Sequence, residues 1–202
     1  MHLSSANRVI VNTLAQYGKT ITNVILALYS TRIVLSALGS SDFGIFSLVG
    51  GVIAMLGFMT NALMITTQRF MSYYQGKNDI GKLRTIFANS VSMHIILGLG
   101  VVVILAIAST VLFNGYLQIE HERLFAAKCI YFTVTSSLFF TFITAPYKAL
   151  LVSHENIVYV SIIDVLDGIL KVTVAFVVTF CSYDKLIFYG ILMCSISMFN
   201  LC

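Results

Sequence analysis

Long apolar runs bounded by short polar clusters dominate this chain, at residues 9–35, 44–68, 85–113, 124–151, 157–181 and 186–202. The hydrocarbon core of a bilayer is about 30 Å thick and takes about 20 consecutive apolar residues in a helix to cross. Lipid offers backbone amides and carbonyls no water, so only helices and closed barrels span it. Barrel strands would read as segments of about ten residues with alternating polarity, and these runs are longer and unbroken. Composition agrees: 58% of the 202 residues are hydrophobic and 10% are charged, against about one quarter charged in an ordinary soluble domain. The expectation is an all-α protein, an integral membrane six-helix bundle forming one transmembrane unit over residues 1–202. The last run is about the minimum length for a crossing and ends without a polar flank, so truncation at the C-terminus is also expected.

The net charge of +4, from twelve Lys and Arg against eight Asp and Glu, is scattered along the chain. That distribution speaks for a topology signal and against nucleic-acid binding. Basic residues collect on the cytoplasmic side of membrane proteins. With the N-terminus inside, the cytoplasmic flanks hold Arg8, Arg69, Lys77, Lys82, Arg84 and Lys148, and the outer flanks hold Arg32, Arg123, Lys128 and Lys185. Four of the inner six fall in the polar stretch 69–84, while the outer loops also carry Asp42, Glu120, Glu122 and Asp184. A multi-pass protein of the inner (plasma) membrane with a cytoplasmic N-terminus is therefore expected. Cys129, Cys181, Cys194 and Cys202 lie at or inside apolar runs without metal-ligand spacing and read as small hydrophobes, with a Cys129–Cys181 disulfide the lesser alternative. The four histidines are dispersed and read as mostly interfacial or loop residues. No phosphate-binding GxxxxGK[ST] loop, HExxH or CxxC motif occurs, so neither an enzyme nor a bound cofactor or metal is expected.

Polar residues inside the runs carry what chemistry there is. In the first run, Asn12, Gln16, Lys19, Asn23 and Ser30 follow at intervals of four, three, four and seven, which at about 100° per residue sets them within about 40° of one line. The stripe serves helix-to-helix hydrogen bonding or lines a cavity. Lys19 favours the cavity, because a cation at depth costs at least about 2.5 kcal/mol unless it meets an anion or water; its alternative is snorkelling to the surface. In the fifth run, Asp164, Asp167 and Lys171 stand at i, i+3 and i+7 and share a face. Asp167 and Lys171 can pair, leaving Asp164 an uncompensated carboxylate open to titration in a transport pathway; a tolerated buried ion pair is the alternative. Arg32, near the outer end of its run, is expected to snorkel or to pair with Asp42. Gly50, Ala54 and Gly57 suit close helix packing, and Pro146 should kink the fourth helix.

Three features together resemble the polysaccharide and lipid-linked oligosaccharide flippases, the O-antigen and capsule exporters related to multidrug-and-toxin extrusion transporters. They are the polar first run ending in RIVLSALGSSDFGIFSLVGG at residues 32–51, the second run leading into TTQRFMSYYQGKND at residues 66–79, and the six-run layout. The resemblance covers the whole chain and corresponds to the first of the two six-helix bundles such transporters use. It implies alternating access around a cationic cavity that takes the diphosphate of a polyprenyl-linked glycan while the lipid tail stays in the bilayer. The partners it implies are that glycan and membrane lipid, with a second bundle or a homo-oligomer completing the pathway. Of the basic cavity positions, Lys19 matches best, with Arg32 and Lys171 beside it; Gln16 and Asn23 share the stripe of Lys19. Two rivals stand against this reading. A proton- or sodium-coupled multidrug or cation antiporter would use Asp164 and Asp167 for ion coupling and would need few fixed cations. A non-transporting membrane fragment would need none of these residues.

Overall fold

The structure, a computed structural model, describes residues 5–117 and 119–200. These residues are helical almost throughout, with no strand among them: α1 (Ser5–Ala54), α2 (Gly57–Gly76), α3 (Ile80–Val111), α4 (Leu124–Ser153), α5 (Ile157–Thr179) and α6 (Lys185–Phe199). Three stretches are long and apolar enough to cross a membrane, Val9–Gly76, Ile80–Asn114 and His121–Ser153. Many large apolar side chains on them face outward, Leu28 and Phe125 at 70% exposure and Ile104 at 66%. An outer surface of that kind suits lipid and not water. Of the remaining helices, α5 carries three charged residues, and α6 has 15 residues, about 22 Å at 1.5 Å per residue.

The first stretch would measure about 100 Å as one straight helix, more than three times the core of a bilayer. Gly39 resolves this, with φ 79° and ψ 173° inside α1, a backbone region that only glycine enters at low cost. Residues 9–19 and residues 60–68 line the same cavity, so the chain doubles back between them. The first two expected runs are therefore real, and their boundary is a single glycine. The second run is itself interrupted at Met55–Leu56, where the amides of Leu56 and Met59 each reach back three residues, to Ile53 and Leu56.

The polar stretch 69–84, which separates the second and third apolar runs, is mostly helix. Only Lys77, Asn78 and Asp79 leave it. Asn78 takes a left-handed φ of 54°, and the Asp79 carboxylate accepts the Lys82 amide at 3.0 Å, capping α3. A left-handed residue followed by a side-chain cap turns one helix into the next within three residues. The later helices match the apolar runs to within a few residues, except that α3 begins at Ile80.

The core lies around α4, which packs on α2, α3 and α6, while α1 packs chiefly on α5. Ile130, Tyr131 and Phe142 of α4 are fully buried with Val49, Ile53, Leu105 and Leu186. The Tyr131 hydroxyl donates to the Leu105 carbonyl at 2.8 Å. A smaller cluster of Val34, Ala175, Val178 and Tyr189 joins α1, α5 and α6. Close approach falls on glycines other than those expected. A Cβ on Gly50 or Gly57 would meet nothing within 4 Å, whereas one on Gly98 would stand 3.1 Å from Phe142, and one on Gly190 2.6 Å from Ile130 and Thr133. Pro146 is buried within α4 without ending it. Cys129, Cys181 and Cys194 are free thiols, and Cys202 lies outside the described residues.

Candidate functional site

A cavity of about 1340 Å³ runs between α1, α2, α4, α5 and α6. At one end its lining includes Asn12, Gln68 and the exposed Glu155, and it continues inward to Lys171. The Asn12 amide donates to the Glu155 carbonyl at 3.3 Å, joining the start of α1 to the turn before α5.

The polar stripe of α1 divides along its length. Asn12, Gln16 and Lys19 line the cavity, and Asn23 does not. Asn23 packs instead against α5, its Oδ1 only 3.0 Å from where a Cβ would stand on Gly168. Arg32 also stands apart from the cavity and is exposed. The expected Arg32–Asp42 pair is replaced by Arg123, whose guanidinium lies 3.3 Å from Asp42 and 2.9 Å from Asp184. Arg123 prevails because the start of α4, the turn after Gly39 and the start of α6 meet at that end of the bundle.

On α5, Asp164, Asp167 and Lys171 all face the cavity, as their i, i+3, i+7 spacing requires. Lys171 lies 2.7 Å from Asp167, the expected pair, and the Asn200 side-chain amide donates to the other Asp167 oxygen at 2.6 Å. The idea of an uncompensated Asp164 is overturned. Its Oδ2 lies 3.2 Å from Lys19 Nζ and its Oδ1 lies 2.7 Å from Lys148 Nζ. Two ammonium groups from α1 and α4 thus grip one carboxylate of α5, with one positive charge in excess. The side chains of Lys19, Asp164 and Lys148 retain 16%, 22% and 34% exposure, so each keeps some contact with the cavity. Pairing offsets the cost of a lone cation at this depth.

Lys148 was missed because it stands at the edge of its apolar run and reads there as a flanking charge. Its signal was present: Thr141, Thr144 and Lys148 repeat the i, i+3, i+7 spacing of α5 and all three line the cavity. His94 also differs from a loop or interfacial role. It is 1% exposed inside α3, with Nδ1 donating to the Ser90 carbonyl at 2.8 Å and Ser90 in turn bonded to Thr67 of α2.

Three lysines, two aspartates, Glu155 and several amides around a space of this size can bind a polar or anionic group through charge-assisted hydrogen bonds. Among the described residues no three His, Cys, Asp or Glu side chains gather as a metal site would need. Comparisons with family models, curated proteins and solved structures find no match to this chain.

Proposed function

We propose that this chain is a six-span bundle of a secondary transporter, and that it moves a polyprenyl-diphosphate-linked oligosaccharide across the inner membrane by alternating access. The observation that carries the proposal is the cavity of about 1340 Å³ holding Lys19, Lys148 and Lys171 within a bundle whose outer surface is apolar. Ionisable residues inside membrane helices mark substrate pathways, and cations at such a site suit a diphosphate. A second bundle, on the same polypeptide or another, faces this one and completes the pathway. The basic residues Arg69, Lys77, Lys82 and Arg84 stand by the α2–α3 turn, which the positive-inside rule assigns to the cytoplasm together with the N-terminus. The cavity end at Asn12 and Glu155 then faces the cytoplasm, where lipid-linked sugars are assembled in this reading.

The antiporter reading uses Asp164 and Asp167 as coupling carboxylates. The paired state of both carboxylates weighs against it, because Asp164 is held by Lys19 and Lys148 and Asp167 by Lys171, so neither is left to a cation.

The test is a flipping assay on the complete transporter, this chain together with the bundle that completes it, in proteoliposomes carrying a fluorescent polyprenyl-diphosphate oligosaccharide, read by a glycosidase added outside. Protein-dependent access of the inner-leaflet glycan is expected, abolished in Lys19→Ala and partly kept in Lys19→Arg, where the charge survives. A Lys19→Ala protein that inserts normally and flips at the parental rate would remove Lys19 from the mechanism.

A further inference from the structure

Each of the two lysines nearest Asp164 gives one N–H to its carboxylate and keeps two further donors. Lys19 holds Asp164 Oδ2 at 3.2 Å and Lys148 holds Oδ1 at 2.7 Å, so one carboxylate occupies the space between cations of two other helices. A carboxylate and a phosphoryl group present the same face to an ammonium, paired oxygens sharing negative charge. The neighbouring Asp167 differs, since it holds one ammonium, that of Lys171 on its own helix, and a neutral amide of Asn200, which leaves no positive charge unmatched.

We propose that Asp164 is a built-in counter-ion occupying the phosphate seat of the cavity, and that an incoming diphosphate displaces it and takes Lys19 and Lys148 as its own partners. This rests on the reading of the cavity as a transport site for a diphosphate-bearing lipid. Two lysines against one carboxylate leave a positive charge unmatched, so a group with more than one negative charge satisfies the pair better than Asp164 does. A singly charged anion gains nothing over the resident carboxylate. Asp164 thereby selects for multivalent anions and keeps Lys19 and Lys148 neutralised while the cavity is empty. It also lowers apparent affinity by the fraction of time it holds the seat, as any competing closed state does. Displacement has a mechanical consequence, because the same carboxylate ties α1 and α4 to α5. A bound diphosphate transfers that tie to the ligand, while α5 stays packed on α1.

The experiment is titration calorimetry of inorganic pyrophosphate, without divalent cations, into the purified full chain in detergent micelles. Asp164→Asn is expected to bind pyrophosphate at least tenfold more tightly than the parent. Lys148→Met, which leaves a neutral Lys19–Asp164 pair and no bare charge, is expected to lose at least tenfold. Lys128→Met, on α4 away from the cavity, controls for net charge and is expected to bind as the parent does. A folded Asp164→Asn protein that binds no more tightly overturns the proposal, and so does a Lys148→Met protein that binds like the parent; the second arm stands even if Asp164→Asn does not fold. The flipping assay separates this from the transport reading. Tighter pyrophosphate binding by Asp164→Asn with no flipping by the parent would sink the transport reading and leave the phosphate seat, whereas flipping with unchanged binding would do the reverse.

Discussion

At Arg123 two carboxylates converge from different parts of the chain. Asp42 is 5% exposed and its charge is balanced by a guanidinium 3.3 Å away. Asp184 receives the other nitrogen at 2.9 Å while its second oxygen caps α6 through the Leu186 and Ile187 amides. Truncation at Arg123 would strand a buried carboxylate, which is far more costly than losing a surface pair. Because Arg123 is itself 41% exposed, Arg123→Ala should destabilise the bundle by about 1–2 kcal/mol, lowering the unfolding temperature in micelles on the order of 3–8 °C. Arg123→Lys should recover part of this, since a single ammonium cannot hold both partners in the forked geometry. A fall below about 2 °C in Arg123→Ala would show that the cluster contributes little. The cavity pairs follow the same residue-level logic. The Asp167–Lys171 contact is written into a four-residue spacing, and the grip of Lys19 and Lys148 on Asp164 is not, because those partners lie 145 and 16 positions away.

Glycine decides how the elements meet. Gly39 breaks α1 within the short polar cluster between the first two apolar runs, and a Cβ there would touch nothing within 4 Å. Its cost on substitution comes from backbone strain alone, so Gly39→Ala should destabilise by about 1–3 kcal/mol. Gly190 presents the opposite case, an ordinary helical backbone at which a Cβ would stand 2.6 Å from Ile130 and Thr133. Gly190→Leu should force α6 away from α4 and cost about 1–3 kcal/mol or more, while Gly50→Ala, with open space around it, should change stability by less than about 0.5 kcal/mol. Thermal unfolding of the three variants orders them directly. An equal loss in Gly50→Ala and Gly190→Leu would refute the α4–α6 contact. Sequence alone pointed to Gly50 and was silent on Gly190, because a run of small residues signals that close approach is permitted and not which surface uses it.

On the scale of the whole molecule, two ends are distinguished by charge. The α2–α3 turn gathers Arg69, Lys77, Lys82 and Arg84, and the opposite end joins Asp42, Arg123 and Asp184. Single cysteines placed at Lys77 and at Glu120 in a background without native cysteines should show opposite accessibility to an impermeant thiol reagent in intact cells, with Lys77→Cys protected. Labelling of Lys77→Cys from outside would reverse the proposed orientation. By itself the sequence determined the helical class, the presence of helices long and apolar enough to cross a membrane and most helix boundaries, since these follow from run length, polarity and local spacing. It also placed Asp164, Asp167 and Lys171 on one face, because a helix repeats its faces every three or four residues. Only the tertiary structure decided that Asp164 is gripped twice, that Lys148 belongs to the cavity, and that Asn23 and Arg32 stand apart from it. Those outcomes depend on which helices become neighbours and at what depth their side chains meet, and local periodicity carries no record of distance between residues far apart in the chain.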